Sequence, residues 1–154
     1  MACEFSNDSQ QLVAPGEIVV FTNTPVPCTE GLVRHRDSSG NFLLSGVVKR
    51  KSCGCMPKSA NYFVDFGANI AIPTGGTVGA ISLAITLDGA TLPTTEMIVT
   101  PSAVEEFFNV SDATIVQVWR GCCETLAVKN TSDQEILIQN ANIIFSRPDL
   151  SAVY

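Results

Sequence analysis

From residue 60 to 72 the chain reads "ANYFVDFGANIAI" and its side chains alternate. Tyr62, Val64 and Phe66 fall on one parity, and Phe63, Asp65 and Gly67 on the other. A period of two is the signature of a strand with one face turned to a core. The stretch "VGAISLAITLDGATLP" repeats it, with Ile81, Leu83, Ile85 and Leu87 down a single face. Asp88-Gly89 then supplies a favoured hairpin pair, and Ala90 to Pro93 begin the return.

Shorter pieces follow the same rule. "EIVVFTN" predicts a strand that the two prolines of "TPVPCTEG" stop. "GLVRHRDSSGNFLLSG" places the turn residues Asp-Ser-Ser-Gly-Asn between two strand-like pieces and predicts a hairpin. "TEMIVTPS", "ATIVQVWRG" and "ETLAVKNTS" predict three more strands, and "AVEEFFNV" reads as strand and loop. In "QEILIQNANIIFSR" Ile136 and Ile138 share one parity while Ala141, Ile143 and Phe145 share the other, so a bulge or bend is expected near Asn140. Eight or more short strands, frequent turn residues and almost no 3.6-residue period describe an all-β sandwich or barrel.

Composition narrows what such a domain does. The 154 residues suffice for one domain with one core. A net charge of -6 speaks against broad contact with nucleic acid or an anionic membrane. Mean hydropathy is positive at +0.25, yet no run approaches the roughly 20 apolar residues of a bilayer span. Burial between subunits is the simplest cover for that surplus. The opening "MACEFSNDSQQLVAPG" has no basic start followed by an apolar run, so no secretory signal is expected. It is mostly polar and reads as a flexible arm over residues 1–16.

Six cysteines without a signal read as thiols or metal ligands more readily than as a disulfide framework. Cys3 and Cys28 are single, Cys53 and Cys55 flank one glycine, and Cys122 and Cys123 are adjacent. We read the paired cysteines as free or partly buried thiols. A zinc site shared by Cys53, Cys55, Cys122 and Cys123, or a disulfide between the two loops, are the alternatives. In an extended strand Cys122 and Cys123 point to opposite faces, so they hold one metal together only if the chain bends there.

Catalytic chemistry finds little support. A cysteine nucleophile needs a histidine base, and the one histidine, His35, lies between Arg34 and Arg36 on a basic strand expected at the surface. Glu105 and Glu106 are adjacent and read as a loop-borne acidic edge rather than as carboxyls held across a cleft. "PTGGTVG" lacks the lysine and helix of a phosphate loop, so its glycines read as turn residues. No catalytic residue, cofactor site or metal site is assigned. Arg34, Arg36, Lys49, Arg50, Lys51 and Lys58 are six of the nine basic residues and fall within 34–58. That region is read as a soluble loop or a docking surface for an acidic neighbour. Among the candidate ligand-binding aromatics Trp119, Tyr62 and Tyr154, the first two lie in strand-like tracts and are expected in the core.

The order of "ANYFVDFGANIAI", "GAISLAITLDGATLP", "IVQVWRGCCETLAVKNTS" and "ILIQNANIIFSR" resembles the TNF/C1q-like jelly roll. It is similar in particular to the forms at the tips of bacterial spore-surface collagen-like glycoproteins and in phage structural proteins. A late L-x-L-x-N-x-S segment of that family is matched by Leu126, Val128, Asn130 and Ser132, and the resemblance implies that Gly121 and the cysteines form the corner before it, with one of Cys122 and Cys123 entering the interior and the other facing a neighbouring loop or subunit. The resemblance covers residues 17–147 and implies a jelly-roll β-sandwich that forms a homotrimer and binds or decorates without catalysing. No Gly-X-Y collagen repeat stands upstream, which argues against the spore filament. The expectation is a trimeric bacteriophage capsid decoration or head-fibre protein, assembled in the host cytoplasm and carried on the virion. Its partners would be itself and another virion protein, reached through the arm or the basic 34–58 region, without nucleic acid or membrane. The alternative is a carbohydrate- or receptor-binding head of a fibre. The division expected is an arm over 1–16, a jelly roll over 17–147 and a tail over 148–154.

Overall fold

The computed structural model describes residues 1–28 and 31–150. Among these described residues twelve strands form two antiparallel sheets that pack face to face. In chain order they are β1 (Ala2–Asn7), β2 (Gln11–Val13), β3 (Asn23–Val26), β4 (Val33–His35), β5 (Phe42–Ser45), β6 (Ser59–Ala71), β7 (Ile81–Leu87), β8 (Ala90–Thr91), β9 (Met97–Val99), β10 (Phe108–Trp119), β11 (Cys123–Asn130) and β12 (Ile136–Ser146). The first sheet runs β10-β6-β12-β1-β3, with β2 also on β12, and the second runs β4-β5-β11-β7-β8, with β9 also on β7. Of the tail expected over 148–154, Pro148–Leu150 form a short 3-10 turn and the rest lies outside the described residues.

The alternation of β6 is realised as read: Tyr62, Val64 and Phe66 are buried, while Phe63 and Asp65 face outward. Facing them across the interior are Ile81, Leu83 and Ile85 of β7 and Leu126 and Val128 of β11, all fully buried. Leu87, at the end of β7, is half-buried. Phe5, Phe21, Phe42 and Phe145 fill one end of the core, with Phe42 4.9 Å from both Phe5 and Phe145 and 5.3 Å from Phe21. Replacing Ile85 with alanine is expected to cost about 2 to 5 kcal/mol, through lost burial and a residual cavity. Denaturant unfolding measures this, and a loss below about 1 kcal/mol would mean that the surroundings collapse into the space.

Turn chemistry fixes the hairpins. Asp88 and Gly89 adopt φ of 49° and 83° and join β7 to β8, as the pair predicts. The predicted β4–β5 hairpin forms with His35 opposite Phe42. Asn140, at φ 56°, sits where the β12–β6 register shifts between Gln139 and Asn142, which is the predicted bulge. On the other side of β12, β1 pairs with residues 141–146 and β2 with residues 136–138, so the kink between β1 and β2 follows the bulge.

Four expectations are corrected. Residues 1–16 are not a flexible arm, because β1 lies inside the first sheet between β12 and β3, with Cys3, Phe5 and Asn7 buried. Its alternation is strand-like; the polar outward residues hid it. Second, Cys3 and Cys28 are disulfide-bonded, where free thiols were expected. Pairing β3 antiparallel to β1, with Glu4 opposite Val26, brings Cys28 back alongside Cys3. Third, "EIVVFTN" forms bridges rather than a full strand. Ile18 bridges to Lys129 in the second sheet and Phe21 to Ser39, and the chain then crosses to β1, where Asn23–Val26 form β3. Pro25 is tolerated there because β3 is the sheet edge. Fourth, Trp119 is 54% exposed. Its neighbours Val116 and Val118 point inward, so the opposite parity turns Trp119 out.

Candidate functional site

The outer face of the first sheet carries an apolar stripe. In the ladder Ile115 of β10 stands opposite Phe63 of β6, and Ile144 of β12 lies opposite Asp65 of β6 on one side and Glu4 of β1 on the other. Glu4 in turn faces Val26 of β3. With Trp119 at the end of β10, five apolar residues, Trp119, Ile115, Phe63, Ile144 and Val26, between 37% and 58% exposed, lie on this face, with Asp65 and Glu4 flanking Ile144 and Gln117 between Ile115 and Trp119. A hollow of about 180 Å³ lies within it, lined by Phe63, Asp65, Ala113 and Ile115 among others. Its surroundings are polar: Gln117 bonds Ser59 at 2.9 Å and Asn109 bonds Asn69 at 3.1 Å. A strand alternates because one face is buried, so the apolar groups on the second face of β6, β10 and β12 are not accounted for by the core.

One end of the sandwich gathers the cysteine-bearing loops. The N–H of Gly46 donates to the Cys122 carbonyl at 2.8 Å, and that of Arg120 to the Lys58 carbonyl at 2.9 Å, so both ends of the 46–58 loop are tied to the β10–β11 turn. Gly46 is tightly confined, since a Cβ there would lie 2.0 Å from the Trp119 carbonyl oxygen. Arg147 closes this end from inside. It is fully buried, 5.1 Å over the Tyr62 ring, donates to the Val47 carbonyl at 2.6 Å and pairs with Asp149. Tyr62, offered as a binding aromatic, is therefore a core residue whose hydroxyl reaches the Leu32 and Ser45 carbonyls. Tyr154 lies outside the described residues.

Cys53, Cys55, Cys122 and Cys123 are all exposed. That corrects the expectation that one of the adjacent pair enters the interior. Cys122 sits in the turn closed by its own N–H to the Trp119 carbonyl, before the ladder begins, and Cys123 has the parity opposite to Leu126 and Val128. The four do not assemble: among the described residues no group of three or more His, Cys, Asp or Glu could hold a metal ion.

The remaining candidates are dispersed. His35 is half-buried, stacked on Phe42 at 4.7 Å with its Nε2 at 2.9 Å from the Ser39 carbonyl oxygen, and Arg34 and Arg36 beside it are exposed. Glu105 accepts from Thr74 at 2.9 Å and Glu106 from Ser102 at 2.9 Å, so the adjacent carboxylates serve separate turns. The carboxyl pair that the fold does bring together is Asp88 and Glu124, which the sequence reading missed. Their mutual hydrogen bond holds the Glu124 carboxyl above its ordinary value and the Asp88 carboxyl below. Both stand at an open strand end, and the N–H of Thr125 donates to Asp88 at 2.8 Å, which makes the pair part of the hairpin tip. Lys49, Arg50, Lys51 and Lys58 are exposed along the 46–58 loop. No helix among the described residues is long and apolar enough to cross a membrane.

No protein-family model matches this chain, and no curated protein does. Solved structures do match. The globular domain of zebrafish complement 1qA protein is similar with a TM-score of 0.63 at 10% identity, covering 96% of each chain. Eiger TNF from S. frugiperda gives 0.65 at 13% identity, over 100% of this chain and 94% of its own. The fold is a TNF/C1q-like jelly roll. Murine APRIL, at TM-score 0.56 and 11% identity over 95% of this chain and 99% of its own, has the same architecture. Identities this low carry the jelly roll's backbone and nothing of its chemistry. The TNF/C1q-like sandwich therefore supplies the scaffold, and the apolar face of its first sheet has to be read from its own residues.

Proposed function

We propose that this chain is a non-enzymatic structural protein that self-associates as a homotrimer through the outer face of its first sheet, and that it decorates a bacteriophage virion as a capsid or head-fibre component. The observation that carries the reading is the stripe Trp119–Ile115–Phe63–Ile144–Val26, apolar side chains on the face of a sheet whose opposite face already fills the core. A second copy of the same chain is its simplest cover, because a closed ring buries every stripe at once. Stable interfaces of this kind bury on the order of 1,000 Å² or more. His35, the one histidine in the sequence, is held against Phe42 and the Ser39 carbonyl, which favours a binding or structural role. The Cys3–Cys28 disulfide is compatible with a particle surface, since disulfides persist in oxidising surroundings. With β1 committed to the sheet, contact with a virion partner falls to the basic 34–58 region, whose Arg34, Arg36 and Lys49 to Lys51 would meet an acidic surface.

Sedimentation equilibrium at micromolar concentration should give three times the 16.4 kDa protomer mass. An Ile115→Asp, Phe63→Asp double variant should keep its circular dichroism and sediment as a monomer. A stable wild-type monomer would overturn the assembly, and baseplate or lysis genes flanking this one, in place of capsid and portal genes, would overturn the head placement. A second reading, a glycan- or receptor-binding head, draws on the exposed indole of Trp119. It predicts that Trp119 fluorescence responds to added glycans in the assembled protein, which a buried interface would prevent.

A further inference from the structure

The 46–58 loop contains a small built turn. The N–H of Gly54 donates to the Lys51 carbonyl at 2.8 Å and the N–H of Lys51 to the Cys55 carbonyl at 2.8 Å, while the Arg50 guanidinium donates to the Gly54 carbonyl at 2.8 Å. Gly54 takes φ 81°, a left-handed conformation that a residue with a Cβ would resist. Successive side chains in an extended chain diverge, and residues two apart share a side. Here the turn folds Lys51 to Cys55 back on themselves, and the Cys55 thiol donates to the Cys53 carbonyl oxygen at 3.9 Å, which puts both cysteines on one tight turn. Both thiols are exposed. None of these features serves the core, and none belongs to the apolar stripe.

We propose that Cys53 and Cys55 are a dithiol that performs thiol–disulfide exchange with small disulfides, Cys53 attacking and Cys55 resolving. The order of attack follows from the hydrogen bond, in which the Cys55 thiol is the donor, aimed at the Cys53 carbonyl, and so keeps its proton. A hydrogen bond from the Cys55 thiol, with help from nearby Lys51, holds Cys53 below the ordinary thiol range. The same bond holds Cys55 above it. The thiolate is the nucleophile, so the sulfur that ionises first attacks first.

In the first step Cys53 gives up its proton and its sulfur attacks one sulfur of an incoming R–S–S–R. A Cys53–S–S–R bond forms, the R–S–S–R bond breaks, and the departing RS⁻ takes up a proton. In the second step Cys55 loses its proton and attacks the Cys53 sulfur, the mixed disulfide breaks, and a second RS⁻ leaves and is protonated. Two electrons pass from the dithiol to the substrate. The products are a Cys53–Cys55 disulfide and two RSH. Cys3 and Cys28 take no part, being bonded to one another.

Oxidised glutathione added to the full chain, followed by acid quenching and peptide mass mapping, tests this. Cys122 and Cys123 are exposed internal references in the same molecule. At neutral pH Cys53 should be consumed about tenfold faster than either, with a rate that rises through a midpoint below the ordinary thiol value. The unmodified chain should release two thiols for each Cys53–Cys55 disulfide formed. A Cys55→Ser variant should stop at the mixed disulfide on Cys53, and Cys53→Ser should react no faster than the references. Equal rates at all four cysteines would overturn the proposal, as would a mixed disulfide that persists in the unmodified chain. The wild-type measurement decides the matter without relying on either variant.

Discussion

Asn130→Ala is expected to lose about 3 kcal/mol of unfolding free energy, more than most polar-to-alanine changes, because it leaves buried partners without bonds. Asn130 is fully buried at the end of β11. Its side-chain nitrogen donates to the Val13 carbonyl at 2.9 Å and to the Gln134 carbonyl at 2.8 Å. Its oxygen accepts from the Ser132 N–H at 2.9 Å and the Ser132 hydroxyl at 2.6 Å. One amide thus ties β2 to the loop between β11 and β12 and folds that loop back on itself. Asn130→Asp supplies the sharper comparison: it keeps the acceptor and replaces the donor with a second oxygen aimed at two carbonyls, so it should be at least as damaging as alanine. Urea unfolding of both variants checks this. A loss under about 1 kcal/mol for alanine would show that water substitutes for the amide.

Reduction of Cys3–Cys28 should cost about 3.5 kcal/mol, the loop-closure entropy of a bridge that spans 25 residues. The effect is concentrated at the sheet edge. The bridge fastens β1 to the chain just beyond β3, which has only β1 as a neighbour and carries Pro25, a residue with no N–H to give. Thermal unfolding with and without reductant measures the loss, and a Cys3→Ser, Cys28→Ser variant separates the bridge from the four exposed thiols. An unchanged midpoint would mean that β3 holds its place through the ladder alone. The same placement of β1 changes what truncation should do. Removing residues 1–16 strips β1 and β2 from β12 and takes Phe5 away from Phe145, so the fold rather than an attachment point would be lost.

Much of the architecture was legible because it is written in period-two alternation. Tyr62, Val64 and Phe66 announce their inward face, Asp88-Gly89 its hairpin, and the parity change around Asn140 its bulge. What escaped the reading depends on neighbours far away in sequence. Ala2–Asn7 is polar on alternate positions, and only β12 and β3 on either side make it an interior strand. Cys3 and Cys28 meet because of strand register, which no spacing rule supplies. The outward apolar residues were not read from the sequence, where Trp119 was expected in the core: Val116 and Val118 carry the parity that turns Ile115 and Trp119 out, and only the ladder puts Ile115 beside Phe63. The bond from the Cys55 thiol to the Cys53 carbonyl rests on a turn that only Gly54 in the intervening position hinted at.

The pairing of β1 with β12 also sets a timetable for synthesis. Ala2 lies opposite Ser146, so β1 leaves the ribosome long before its longer partner does. At about 5 to 20 residues per second, roughly seven to thirty seconds separate the two. Over that interval Phe5 lacks the strand that carries Phe145, and β6, whose neighbours β10 and β12 both come later, waits as well. Sequence-distant pairing of this kind slows folding. The nascent chain therefore holds β1 and β6 each with one edge open until β12 has emerged between them, and its yield in a cell should respond to chaperone supply.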